Sequence, residues 1–377
     1  MNGQAAHSGI AIAVGLTDRR ITRLIIENHR ILNATMPLVG LTPQDALSAI
    51  HRLFAICRMA QGVAGVTAIE DAGGLVVSAQ QKAARRLLVA GETLLEQATQ
   101  AALRWPLLMQ DPPDFEGLKS LRLALSGLSQ ALYPDHDWLR VGGGRLTPDR
   151  VALAQALAMA RRAVARLVIA QGQPVGAAAR LLDRVIGQGL AGFGKTQLGF
   201  LPDLPAIPLA QILDEDQEGA FVARPVWQGQ SFGTGALARR ADYAEVTAVI
   251  VHHGRGLLAH LTACLAEIDH CLGEMGDIIN GLCDSDVGLE GSMLAEGRGI
   301  AMLEAARGRL VHRVQLQQGK LFRYQILAPT EWNFHPAGVL VEGTEGWRLE
   351  DEEAFALRLL VTAMDPCVSF SLRVFDA

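Results

Sequence analysis

Between about residues 77 and 281 the chain repeats apolar positions at helical spacing, and on either side of that block the period drops to two. The helical segments, rich in Ala, Leu and Arg, run at about 77 to 105, 116 to 132, 147 to 171, 176 to 188 and 241 to 281. An apolar stripe on a helix must be covered by another element, so this much patterned sequence commits the chain to a helical body. Before it, Ile10 to Met36 alternates apolar and polar residues around the Thr17-Asp18-Arg19 turn, which predicts a small antiparallel hairpin. Thr42-Pro43 then reads as a helix start, with Thr42 as cap and Pro43 in the first turn. Leu310 to Pro329 alternates around Gln318-Gly319, a second hairpin signal, and Leu349 to Met364 is a helix leading into Asp365-Pro366-Cys367. The stretch from Gly192 to Gly235, with Pro202, Pro205, Pro208 and Pro225, reads as an irregular surface excursion.

The expected fold is therefore α+β and predominantly α, a single domain over 1–377. It comprises a hairpin region (1–40), a mainly helical body (41–290) and a C-terminal α/β segment (291–377). Half the residues are apolar, enough for a large core. A formal charge of −5 lacks the basic surplus that nucleic-acid binding requires. Five cysteines, an odd and sparse set in a chain this large, indicate free thiols in a reducing compartment. The early apolar run Gly9 to Leu16 lacks a basic flank and a cleavage site, and no segment reaches the roughly 18 uncharged apolar residues of a membrane span. A cytoplasmic protein without nucleic-acid or membrane partners is expected.

Three stretches carry a more specific signal. The run Arg52-Leu53-Phe54-Ala55-Ile56-Cys57-Arg58-Met59-Ala60-Gln61, followed by GVAGVTAIEDA, resembles the R-x-C-G-x-C-x-x-x-H motif of NiFe-hydrogenase large subunits. Phe54 stands at the first cysteine, Cys57 at the second and Gln61 at the histidine. The run Asp365-Pro366-Cys367-Val368-Ser369-Phe370-Ser371-Leu372-Arg373 resembles the family's D-P-C-x-x-C-x-x-H/R, with Cys367 and Arg373 kept and Phe370 at the second cysteine. Between them, Glu304 to His312, Gly319-Lys320, Tyr324-Gln325 and Ala328 to Asn333 resemble the block E-x-P-R-G-x-L-x-H, GK, YQ, P-S/T-x-W-N. The matches cover about residues 35 to 75 and 295 to the end, in family order. The run EWNFHP and the halved cysteine set are similar to the hydrogenase expression and formation proteins of the HupK/HoxV kind.

The resemblance implies a large-subunit-like fold in which Cys57 and Cys367 meet at one buried site. In the resembling hydrogenases four thiolates hold nickel, and two of them bridge to an iron carrying carbon monoxide and two cyanides. Phe54 and Phe370 offer no lone pair, so the soft ligand set that selects nickel is halved and no nickel is expected. Two thiolates still suffice for an Fe(CN)2CO unit, provided its cyanides find hydrogen-bond donors. The lining implied is Arg307 and Thr330, with Gln61 donating to the Cys57 sulfur, Asp365 fixing backbone or pairing with a cation, and Arg373 as the retained basic residue. The function implied is a non-catalytic maturation scaffold that receives this unit from proteins of the HypC and HypD families and passes it toward a hydrogenase large-subunit precursor. The alternative is a metal-free structural or regulatory component of a redox complex. Ala306 and Ala55 depart from the family's proline and glycine, and no R-G-x-E element is found.

Two other patterns point to ordinary structure. Gly189 to Thr196 spells G-x-x-x-x-G-K-T, yet it follows a helical run, whereas a phosphate loop follows a strand and opens a helix. His260, Cys264, Glu267 and Cys271 form one stripe of a helix, which reads as core.

Overall fold

The computed structural model describes residues 9–29, 34–289, 294–349 and 354–376. Strands β1 (Ile10–Thr17) and β2 (Arg20–Asn28) form the expected antiparallel hairpin. Asp18 and Arg19 both take positive φ, the geometry a two-residue hairpin loop demands. Ile10, Ile12 and Val14 turn their side chains into the core. A third strand, Phe370–Asp376, lies parallel to β1 on its other edge, with Ile10 opposite Phe370 and Leu16 opposite Asp376. The tail was read only as motif, so this pairing of the two chain ends extends the predicted hairpin into a three-stranded sheet.

Helix α1 (Pro43–Leu53) begins as its sequence indicates: the Thr42 hydroxyl accepts the Asp45 N–H at 3.2 Å. After a short break at Phe54 to Cys57 comes α2 (Arg58–Ala72), and then α3 (Ala79–Thr99). Buried on nearly all sides, α2 is the central helix of the molecule. One side of it carries the antiparallel meander Gly297–Ala305, Gly308–Gln317 and Lys320–Leu327. A Cβ on Gly299 would fall 2.2 Å from the Ala68 carbonyl oxygen, so strand and helix backbones touch there. The predicted second hairpin is the last two strands of this meander; the first, Gly297–Ala305, adds a strand.

The remaining helices follow the periodic segments, including Phe115–Ser126, Arg150–Leu167 and Gly176–Gly187. Helix α3 runs on through a π-helical turn, Gln100–Arg104, into Trp105–Leu108. The segment predicted as one helix over 241–281 is two, Ala244–His253 and Leu257–Gly281, because Gly254 adopts φ +79°. The excursion predicted at 192–235 contains the helix Ala206–Glu215, anchored by buried Leu209 and Leu213 and by Asp214, which receives a two-pronged ion pair from Arg313 at 2.7 and 2.9 Å. The C-terminal helix spans Phe355–Ala363, while 350–353 of the predicted range lie outside the described residues.

The G-x-x-x-x-G-K-T segment supports a helix instead of a phosphate. The carbonyls of Phe193 and Ala191 accept the N–H groups of Leu257 and Leu258, at 2.8 and 3.1 Å, at the start of the long helix. Lys195 is exposed, and the Thr196 hydroxyl is bound to Glu342. A phosphate cradle needs N–H groups pointing inward, and here carbonyls do the pointing. The Cys264 and Glu267 stripe is likewise structural: the Cys264 thiol bonds the Gln97 carbonyl, and Glu267 pairs with Arg239 and Arg240. No helix among the described residues is long and apolar enough to cross a membrane.

Candidate metal-cargo site

Cys57 stands at the N-cap of α2, immediately after the Phe54 turn, and its carbonyl starts the helix by accepting the Gln61 N–H at 2.9 Å. Its side chain does not cap, so the first N–H groups of α2 need another acceptor. Glu92, from α3, supplies both oxygens: Met59 and Ala60 donate to its carboxylate at 2.9 Å each. A carboxylate at a helix N-terminus is favoured by the unpaired donors and the helix dipole together. This long-range cap fixes the height at which Cys57 sits.

Cys367 reaches the same place from the far end of the chain. The helix Phe355–Ala363 ends at Met364, Asp365 takes a left-handed φ of +51°, and Ile10 donates to the Ser369 carbonyl at 3.0 Å as the tail joins β1. The Cys367 sulfur then lies 3.1 Å from the Thr330 hydroxyl, which is buried. Both cysteines are half-buried and free. Burial first, then the charges of Glu92 and Cys367, push the Cys57 thiol up to about 12, while Arg307 and a hydrogen bond from Gln61 pull the other way. The two thiols, the guanidinium and the carboxamide therefore act on one another in one site.

Arg307 is held from several directions. Its Nη2 donates to Glu96 at 2.8 Å and its Nε lies 3.1 Å from Asp365. Its carbonyl accepts from Asn333, whose own side-chain oxygen accepts the Thr234 N–H at 2.8 Å. The glycine after it is obligatory: Gly308 has φ +129°, and a Cβ there would come within 2.5 Å of Thr234. Burial opposes the arginine's charge, but Asp365, Glu96 and Cys57 outweigh that and keep it protonated. Its Nη1 is buried without a hydrogen-bond partner among the described residues. A fixed, charged, unpaired donor beside two thiols suits an anionic diatomic ligand, which supplies the missing acceptor.

Asp365 pairs with two cations, Arg307 and Arg104, the latter brought in by the π-helical turn after α3. Gln61 is buried beneath Cys57. Arg373 is corrected: it sits exposed on the last strand opposite Ala13, and the structure does not bring it to the thiol pair. The ring of Phe54 packs on the cluster around Leu47, Ile50 and Tyr324, and that of Phe370 on the main core. Among the described residues no group of three or more His, Cys, Asp or Glu side chains could hold a metal ion, so a metal held here would have to rely on the two thiols and on ligands of its own.

Glu92, Glu96 and Arg104 were missed from sequence. The only trace is two acids four apart, Glu92 and Glu96, the sole acidic residues of the helical run from 77 to 105. Burial raises the Glu92 carboxyl to about 7 against 4.5 for the free group, with Glu96 adding to the rise and the Met59 and Ala60 N–H groups and Arg307 opposing it. A carboxyl raised on folding contributes stability that is fully present below about pH 4.5 and is lost as pH rises through about 7. Glu92→Gln in metal-free protein is therefore expected to flatten the loss of stability across that window. Urea midpoints at pH 5 and pH 8 check this; an undiminished fall in the variant would contradict it.

Comparison with known proteins extends these observations. Residues 280–369 match the nickel-dependent hydrogenase family. The chain is 32% identical over 365 residues to the hydrogenase expression/formation protein HupK of Azotobacter vinelandii, covering 96% of this chain and 94% of that one. It is 29% identical to HupV, a hydrogenase expression/formation protein of Azotobacter chroococcum mcd 1, with the same coverage. Among solved structures, the reduced Ni-Fe-Se hydrogenase of D. vulgaris Hildenborough superposes with a TM-score of 0.74 at 16% identity, over 94% of this chain and 95% of that one.

Proposed function

The chain belongs to the family of HupK, HupV and HoxV hydrogenase expression/formation proteins, and from that premise we propose that it is a non-catalytic carrier of the Fe(CN)2CO unit. A role in hydrogenase formation follows from the family. The finer reading is carried by one observation: thiols from the two ends of the chain, Cys57 and Cys367, share a site with a buried Arg307 whose Nη1 lacks an acceptor among the described residues. In this reading Cys57 and Cys367 ligate the iron as thiolates, Arg307 donates to a cyanide nitrogen, and the Thr330 hydroxyl and Gln61 carboxamide donate to the two sulfurs. The diatomic ligands satisfy the rest of the iron's valence, so two protein bonds suffice. Nickel, which in the resembling hydrogenases takes four thiolates, is left without half its ligands.

The partners proposed are HypC- and HypD-family proteins as donors and a hydrogenase large-subunit precursor as acceptor. A carrier must release its cargo, and a two-thiolate site holds it with fewer bonds than the finished centre would. The test is infrared spectroscopy of protein purified anaerobically from a host with intact hydrogenase maturation. Bands of metal-bound CO and CN are the expected result. A blank spectrum with no iron would overturn the carrier reading, and copurification with an iron-sulfur small subunit would then favour the metal-free component.

A further inference from the structure

The strand Gly297–Ala305 is an edge of its sheet, bonded to Gly308–Gln317 on one side and, among the described residues, to no strand on the other. The Ile300 N–H fixes which of its backbone groups face outward, because it leaves the ladder to donate to the Asp71 carboxylate at 2.8 Å. Backbone direction in an antiparallel ladder repeats every two residues, so Met302 and Glu304 also turn their N–H and C=O groups away from the sheet. Arg309, opposite Glu304, has the matching phase: its N–H points off the other side of its own strand, to the Thr234 hydroxyl at 3.0 Å. The stretch Gly299 to Leu303 carries no charge, proline or bulge, the devices that normally protect a sheet edge.

This edge opens onto a cleft of about 670 Å³, lined on one wall by Ala301 to Glu304 and on the other by α3 and the helix Leu257–Gly281. Val63 of α2, Val89 and Ala90 of α3 and Cys271 give it a buried apolar floor. Strand and α3 run alongside one another: the Gly73 carbonyl, before α3, accepts the Ala295 N–H, and Gln97, late in α3, donates to the Ala306 carbonyl at 2.8 Å. Along α3 the cleft extends from Lys82 to Thr93, a rise of roughly 16 Å, which is the length of about five residues of extended chain.

Charge inside the cleft is already balanced. Arg85 pairs with Glu70, Arg86 with Glu274, Arg239 with Glu267 and Glu304, and Arg240 with Glu267. Lys82 and Asp71, exposed toward one end, are of opposite sign. A charged occupant would lose its hydration without gaining a free counter-ion from these arginines and glutamates, whereas an uncharged apolar one gains by covering the floor.

We propose that the cleft takes an extended, uncharged apolar segment of a partner protein as a fourth strand of this sheet. The segment's backbone pairs with Met302 and Glu304, and every second side chain rests on Val63, Val89 and Ala90. A compact small molecule could cover the floor, but only an extended backbone also matches donors and acceptors spaced along the edge. The inference stands apart from the cargo reading, because neither Cys57 nor Cys367 lines the cleft.

For the test, random octapeptides displayed on phage are panned against the full-length protein, and enriched sequences are synthesised and titrated by fluorescence anisotropy. Enriched peptides are expected to alternate apolar residues and to carry no charge in their central positions. Methylating every second backbone nitrogen of such a peptide should weaken binding at least about tenfold in one phase and far less in the other, since only one set of amides faces the edge. Met302→Pro removes an N–H that points out of the sheet, leaves the ladder intact and should weaken binding by a similar factor. Ala90→Phe, which fills the floor, should do the same, with unchanged circular dichroism in both variants. The methylated peptides leave the protein untouched, so they decide the matter if a variant fails to fold. A library that enriches no sequence, equal loss in both methylation phases, or full binding to folded Met302→Pro would each overturn the proposal. Self-association of the chain that Met302→Pro abolishes would overturn it in favour of a second copy.

Discussion

Replacing either Cys57 or Cys367 with alanine is expected to cut the iron retained by anaerobically purified protein by on the order of a hundredfold or more, down to background. On the proposed reading each thiolate would supply half of the protein's bonds to the cargo, and changes merely adjacent to a ligand typically cost 10- to 100-fold in metal affinity. No other side chain stands in reserve: among the described residues no cluster of His, Cys, Asp or Glu could take over, and Phe54 and Phe370 are packed into apolar clusters. Both cysteines are small and half-buried, so the folded state tolerates alanine, and unchanged circular dichroism separates loss of binding from loss of fold. Arg307→Met should lose iron less completely, because it removes a donor to the cyanides and not a bond to the metal. Wild-type iron in both cysteine variants would move the cargo elsewhere on the molecule.

The largest expected loss of stability lies on the opposite face of α2. Arg85 makes a bidentate pair with Glu70, at 2.7 and 2.9 Å, and both side chains are almost wholly buried. Glu70 also accepts the Gly142 N–H at 2.9 Å, so the pair ties α2 and α3 to the loop after the helix Leu128–Leu132. Arg85→Ala leaves a carboxylate in the core without its counter-charge, which costs about 3 to 5 kcal/mol. That is a large part of the roughly 5 to 15 kcal/mol that holds a typical domain folded. Equilibrium urea unfolding should show it as a fall in midpoint at constant slope. The double change Glu70→Leu with Arg85→Met should cost less than Arg85→Ala alone, since no charge is then left unpaired. A double variant as damaged as the single one would mean that shape, not charge, holds this junction.

Local patterns in the sequence carried much of the outcome. The hairpin, the Thr42 cap and most helices follow from spacing that each segment states by itself. Cys57, Cys367, Arg307, Thr330 and Asp365 were visible because they sit inside short ordered motifs, and the structure draws them together. What stayed hidden depends on distant partners. Among the described residues the last strand pairs with β1 alone, and nothing in its seven residues announces a partner at the other end of the chain. Arg373 was misplaced for that reason: once the tail is a strand, alternate residues face away from the site. The strand Gly297–Ala305 was missed because its most telling feature, close contact of Gly299 with α2, is a property of two backbones. Glu92 caps a helix whose start is more than thirty positions earlier, so no capping pattern could reveal it.

The parallel pairing of the two chain ends bears on how the site opens. Cys367 is carried by the segment leading into an edge strand, and none of the strand's own residues is fully buried. Cys57, by contrast, begins a long helix that is buried on most of its faces. Elements with few buried contacts exchange and detach at a small fraction of the global unfolding free energy. One of the two thiols is thus mounted on the rigid frame and the other on a peelable edge. Fraying of that edge alone would halve the grip on whatever lies between them while the helical body stays intact.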